Sequence, residues 1–320
     1  MAGMKQRSNL PMNSLRALSA LLLLTLAACG TETQSVTPGT QGNKLLVVTT
    51  TTQIRSMAEA VGGDKAIVRS ILTPGADPHE FQSTPGDVQA ISESALVLRN
   101  GIGLDDWVDK LINNAGGSHP VVVVSEGIPL QRGAGEEGVG GAGEGDDPHV
   151  WFSVTNAMTM TRNIRDALVK ADSPNASTYN ANADAYLAKL DELDKYIEKE
   201  VAALPMESRR MVTNHDAYGY FISRYGLLFV GSIIPSMSTD AKPSAQDVAA
   251  LITKLKSDKV KAIFLESFIN PALAKQIGAD AGVKVVDTLY GDTLGPSGTP
   301  GADYIGMMRY NADTIVGALK

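Results

Sequence analysis

The chain has 320 residues, a hydrophobic share of 43%, a formal net charge of −7 and one cysteine. That length exceeds the size at which single cores stop growing, so two domains are expected. The acidic balance argues against nucleic acid as a partner and is compatible with attracting cations, and a lone cysteine excludes an internal disulfide and a thiolate metal cluster.

Residues 1–28 carry Lys5, Arg7 and Arg16 and no acid, and end in an apolar run at 17–28. The run is too short to span a bilayer and suits the apolar region of a secretory signal peptide. The junction Leu26-Ala27-Ala28-Cys29-Gly30 resembles the bacterial lipobox, which implies that Cys29 is acylated after cleavage and anchors the mature chain to a lipid bilayer. Cleavage moves the net charge from −7 to −10, because three cations and no acid are lost. Residues 29–43 lack apolar periodicity and read as a tether between lipid and fold.

From residue 44 the pattern alternates strand and helix. Strands are predicted at 44–50, 66–72, 95–99 and 120–125, the last with four consecutive valines, and helices at 53–61, 87–91, 104–114 and 154–170. Residues 173–205 then form one long helical stripe, with Tyr179, Ala183, Tyr186, Leu190, Leu193, Ile197, Val201 and Leu204 at steps of three and four. Ser173 is a candidate N-cap, Pro174 suits the first helical position, and Pro205 ends the pattern. At 1.5 Å per residue this helix spans roughly 45 Å, long enough to join two lobes.

The same rhythm returns after Pro205, with strands at 210–214, 227–233, 260–266 and 283–287 and helices at 217–225, 245–257, 271–281 and 304–319. Short apolar strands alternating with helices imply parallel sheets covered on both faces. The expected fold is therefore α/β, with two lobes of about four βα units each (44–172 and 206–320) joined by one long rigid helix. Ligands of such sheets bind in loops beyond the carboxyl ends of the strands.

Three of the four histidines lie in such loops: His79 in GADPHEF, His149 in DDPHVW and His215 in TNHDAYGYF. Two follow Asp-Pro, and a proline just before a ligand narrows the backbone freedom of its loop. Imidazole nitrogens suit zinc and similar first-row ions, with one anionic group to offset the charge. Asp292, in YGDTLG, is placed to supply it; Asp287 is the competitor and Glu80 a lesser one. His119, at the start of a strand, falls at the opposite end of its sheet and is expected to be exposed.

The lipobox, TPGADPHEFQSTPGDV, DPHVW, NHDAYGYF, KPSAQDVAALITKLKSDKVKAIFLES and YGDTLG…YIGMMRYN, in this order, resemble the substrate-binding lipoproteins of metal-uptake ABC transporters of the zinc/manganese group. The resemblance covers essentially the whole mature chain. It implies that His79, His149, His215 and Asp292 are four metal ligands, two from each lobe. It further implies an extracytoplasmic, lipid-anchored monomer that delivers its ion to a membrane permease powered by a separate ATPase subunit. Ser83 and Lys242 depart from the family pattern at positions that bear on packing or docking. The family's zinc-specific members often carry a histidine-rich loop before the second ligand, whereas residues 131–147 here hold seven glycines, five acids and no histidine. That loop reads as disordered, either a passive insertion or a gatherer of cations; its G-x-G-x-x-G match is followed by no helix pattern.

Family members with a carboxylate as third ligand resemble manganese binders, and this chain has His215. Three nitrogens and one carboxylate favour Zn²⁺, with Mn²⁺ as the alternative. Other classes are weaker. The chain lacks H-E-x-x-H, G-x-S-x-G and the phosphate-binding G-x-x-x-x-G-K-[ST], so a zinc hydrolase has no motif, and no sequence feature demands a surface adhesin.

Overall fold

The computed structural model describes residues 39–133 and 145–320. The expected signal peptide, Cys29, the first part of the tether and the middle of the Gly-rich loop lie outside the described residues.

The first lobe runs β1 (Thr40–Gln41), β2 (Lys44–Thr49), α1 (Thr52–Gly62), β3 (Ala66–Ser70), α2 (Pro85–Glu93), β4 (Leu96–Arg99), α3 (Val108–Ala115), β5 (Val121–Val123) and α4 (Val154–Ala171). β3, β2, β4 and β5 lie side by side in parallel, in register at Val47↔Val68, Val48↔Val97 and Leu98↔Val122. β1 pairs antiparallel with β2 through Thr40↔Leu45 and Gln41↔Lys44, so the end of the predicted tether belongs to the sheet. The second lobe has β6 (Arg210–Thr213), α6 (Gly219–Tyr225), β7 (Leu228–Ser232), α7 (Ala245–Ser257), β8 (Ala262–Glu266), α8 (Ala272–Ala281), β9 (Lys284–Leu289) and α9 (Tyr304–Leu319). Its strands form a parallel sheet in the order β7-β6-β8-β9.

Between the lobes lies α5 (Ala176–Ala202), 27 residues and about 40 Å long. Its whole predicted stripe is buried, from Tyr179 through Leu204. It packs against α1 and α4 of the first lobe and α6 and α9 of the second. Asp194, buried on α5, accepts hydrogen bonds from Tyr225 Oη at 2.9 Å and from Arg224, which staples the helix to α6.

Strand periodicity divides the interior. Val47, Leu96 and Leu98 of the first sheet and Met211, Ala262 and Phe264 of the second face a core that is continuous through both lobes and includes the α5 stripe. The alternate residues serve separate outer cores. Val48 and Val97 pack with α2 and α3, and Val212, Ile263 and Leu265 with α7 and α8.

Several boundaries differ from the sequence reading for local reasons. Ser173 does not cap α5: residues Ser173–Asn175 form a 3-10 turn and Asn175 precedes the helix. α2 starts at Pro85 because Thr84 and Asp87 form a capping box. α3 starts at Val108 instead of 104, because the Asp105 carboxylate is drawn into the preceding loop by Thr50 Oγ1 and the backbone N–H groups of Asn100 and Gly101. β5 lies at a sheet edge, so Val121 and Val123 are 39% and 37% exposed instead of buried on both faces.

One core shared by both lobes predicts one cooperative transition. Leu190→Ala, in the middle of the α5 stripe, is expected to cost about 2–5 kcal/mol. Calorimetry should show both lobes melting together at a lower temperature, with no separate transition for either.

Candidate metal centre

The predicted ligands all sit past carboxyl ends of strands. His79 lies in the segment between β3 and α2, His149 just before a 3-10 turn (Val150–Phe152) that leads into α4, His215 two residues after β6, and Asp292 three after β9. In both Asp-Pro-His tripeptides the aspartate accepts the histidine N–H: Asp77 Oδ1 from His79 and Asp147 Oδ1 from His149, each at 2.9 Å. These local turns pre-set both backbones. Asn100 Nδ2 donates to Pro148 O at 3.0 Å, bracing the second tripeptide from the β4 end.

The structure brings His79, His149, His215 and Asp292 together, with one ligand atom of each within 4.8 Å of the others. Asp292 Oδ2 is 3.3 Å from both His79 Nε2 and His215 Nε2, Asp292 Oδ1 is 3.5 Å from His149 Nε2, and the Nε2 atoms of His79 and His149 are 3.4 Å apart. An ion bound tetrahedrally at 2.0–2.1 Å has ligand edges of roughly 3.3–3.4 Å. The side chains of His149, His215 and Asp292 are fully buried, and His79 is 9% exposed. His215 Nε2 and both Asp292 oxygens have no hydrogen-bond partner. Buried orphan atoms converging at coordination spacing are what a cation site requires.

Two further carboxylates orient the rings. Asp147 Oδ1 lies 2.7 Å from His149 Nδ1, and Glu266 Oε1 lies 3.1 Å from His215 Nδ1. Asp147 accepts the His149 Nδ1 proton and leaves that ring's Nε2 lone pair facing the centre, while Asn214 Nδ2 lies 2.8 Å from His215 Nδ1 beside Glu266. Glu266 Oε2 also accepts the Asp292 N–H at 2.7 Å, so one side chain at the end of β8 touches both second-lobe members of the cluster. The residue before Asp292 must be glycine: a Cβ on Gly291 would meet Glu266 Oε2 at 2.0 Å.

Burial alone would lower the imidazole pKa of His149 and His215. The Asp292 and Asp147 carboxylates nevertheless hold His149 above its ordinary 6.5, and Asp292 and Glu266 hold His215 well above it. Burial alone would raise Asp292, but the charges of His215 and His149 hold it well below the usual carboxylate range. Protons thus stand in for a cation.

The competing candidates lie elsewhere. Glu80 is exposed and outside the cluster. Asp287 lies within β9 and pairs with Lys275 at 3.1 Å. His119, half-buried before β5, places Nε2 2.7 Å from Gly116 O. Sequence reasoning missed Asp147 and Glu266. The signal for Asp147 was its place in Asp-Pro-His; for Glu266, a lone acid ending an apolar strand.

The profile of a family described as "Zinc-uptake complex component A periplasmic" matches residues 47–318. The manganese-binding lipoprotein MntA of Halalkalibacterium halodurans is 31% identical over 303 residues, covering 94% of this chain and 97% of that protein. The iron ABC transporter substrate-binding lipoprotein MtsA of Streptococcus pyogenes serotype M1 is 32% identical over 306 residues, 93% and 94% of the two chains. Among solved structures, the periplasmic zinc binding protein TroA from Treponema pallidum superposes with a TM-score of 0.78 at 32% identity, over 86% of this chain and 99% of that one.

Two outcomes are expected. The raised histidine pKa values stabilise the ion-free fold fully below pH 6.5, and that contribution is lost as pH rises through the folded-state values. Loading a divalent ion at pH 7 should therefore release protons from His149 and His215, measurable by calorimetry in buffers of different ionisation enthalpy. Glu266→Gln should weaken ion affinity about 10–100-fold, read in a chelator competition, with the far-UV dichroism unchanged.

Proposed function

The chain belongs to the zinc-uptake complex component A family, and from that premise we propose that it is the substrate-binding component of a metal ABC transporter, capturing Zn²⁺ between its lobes. The ion is cargo, held by His79, His149, His215 and Asp292 and passed to a membrane permease driven by a separate ATPase. The mature chain works outside the cytoplasm as a monomer, anchored by a lipid on Cys29.

The observation that carries this reading is the buried set of three imidazole nitrogens and one carboxylate, each nitrogen 3.3–3.5 Å from an Asp292 oxygen. Such a set satisfies Zn²⁺ in tetrahedral geometry and leaves no open position for a catalytic water. That favours holding the ion over turning over a substrate. Asp292 neutralises one charge of the ion, while Asp147 and Glu266 raise the basicity of their imidazoles.

Manganese is the second reading, favoured by the MntA relative named for it and by the Asp292 carboxylate, whose two oxygens both face the centre. Hard oxygen donors suit Mn²⁺ better than nitrogens do.

The deciding experiment is competitive loading of the ion-free mature chain with Zn²⁺ and Mn²⁺, with elemental analysis of what stays bound and His215→Glu run alongside. Zinc should be retained by the natural chain, and retention should shift toward manganese in the variant. Preferential manganese retention by the natural chain would reverse the metal assignment and leave the transport reading in place.

A further inference from the structure

The two Asp-Pro-His tripeptides share a turn but use their aspartates differently. Asp147 applies Oδ1 to both the backbone N–H and the ring Nδ1 of His149, inside its own lobe. Asp77 applies Oδ1 to the His79 N–H, while Oδ2 crosses the cleft and accepts from Thr239 Oγ1 at 2.6 Å. Thr239 lies in the second lobe, between β7 and α7.

His79 is also the least supported of the four clustered residues. It is the one with measurable side-chain exposure. Among the described residues no hydrogen bond reaches its Nδ1, whereas the rings of His149 and His215 each have a carboxylate partner there. The segment is anchored in its own lobe at its ends, by buried Leu72 and by Phe81 against Trp107 at 4.3 Å. Between those ends its fixed points lie on the other lobe: Thr239 on Asp77, and Thr293 Oγ1 on the Gly75 N–H at 3.0 Å.

We propose that Asp77 is a positioning residue that couples contact between the lobes to the placement of His79. With Thr239 on one carboxylate oxygen, the other holds His79 in the ligand set. When the lobes part, the segment loses its cross-cleft bonds, His79 leaves first, and the ion departs on that side. This inference rests on reading the four residues as a divalent-ion site.

The test measures dissociation of Co²⁺ from the full mature chain into excess chelator by stopped flow. Thr239→Val removes the donor while keeping the shape, and Thr239→Ser keeps the donor. Loss of a hydrogen bond to a charged group should speed release on the order of tenfold in Thr239→Val. Thr239→Ser should release at the natural rate. Stoichiometry, the Co²⁺ ligand-field spectrum and the melting temperature of the ion-free chain should not move. In an Asp77→Ala background, Thr239→Val should add nothing, because the coupling runs through that carboxylate. An unchanged release rate in Thr239→Val, or equal acceleration in both backgrounds, would overturn the coupling and leave metal capture intact. A natural chain that binds no Co²⁺ would remove the ion-site reading and the coupling with it.

Discussion

The Asp292 carboxylate lies fully buried, 3.3–3.5 Å from three imidazole nitrogens, and the architecture around it answers the problem that burial creates. An isolated carboxylate out of water is strongly unfavourable, and so is an imidazolium. Here each offsets the other, and the two outer carboxylates, Asp147 and Glu266, set the direction of the pull. Without a cation the centre draws protons; a divalent ion replaces them with one concentrated charge.

Neither lobe contains the centre alone. His79 and His149 come from the first sheet's loops and His215 and Asp292 from the second's, so the spacing of the set depends on what holds the lobes. The holding element is the core under α5, which runs through both lobes without interruption. Swinging the lobes widely apart would expose buried side chains such as Tyr179, Leu190 and Ile197, at about 25 cal/mol per Å² of apolar surface. A change large enough to release an ion needs far less than that. On the metal-capture reading proposed above, displacing one of the four side chains by a few ångströms suffices.

Much of this was legible in the sequence because the main constraints are periodic. The helical stripe was readable as steps of three and four, and all eight of its residues are buried, the last of them, Leu204, just past the end of α5. Parallel sheets followed from short apolar strands alternating with helices. The four clustered residues were readable as rare residues in strand-end loops, and the structure brings them to one point. What escaped was set by contacts distant in the chain. Glu266 looked like the end of an apolar strand; its meaning depends on His215, 51 positions earlier, and on the Asp292 N–H. The late start of α3 depends on Thr50 reaching Asp105. The exposure of β5 depends on which strand ends the sheet. Periodicity reports the face of an element and is silent about its neighbours.

Similar proteins are named for manganese, iron and zinc over nearly the same length of chain. A fold that aligns this broadly delivers four side chains to one point, and selectivity must then come from the donor atoms and the room around them. Affinity alone cannot reject a tighter-binding first-row ion, because the order of divalent affinities is common to most donor sets. A closed, buried centre adds a second filter, disfavouring ions that keep part of their water shell. Three nitrogens and one carboxylate, gathered in a centre this buried, set both filters at once.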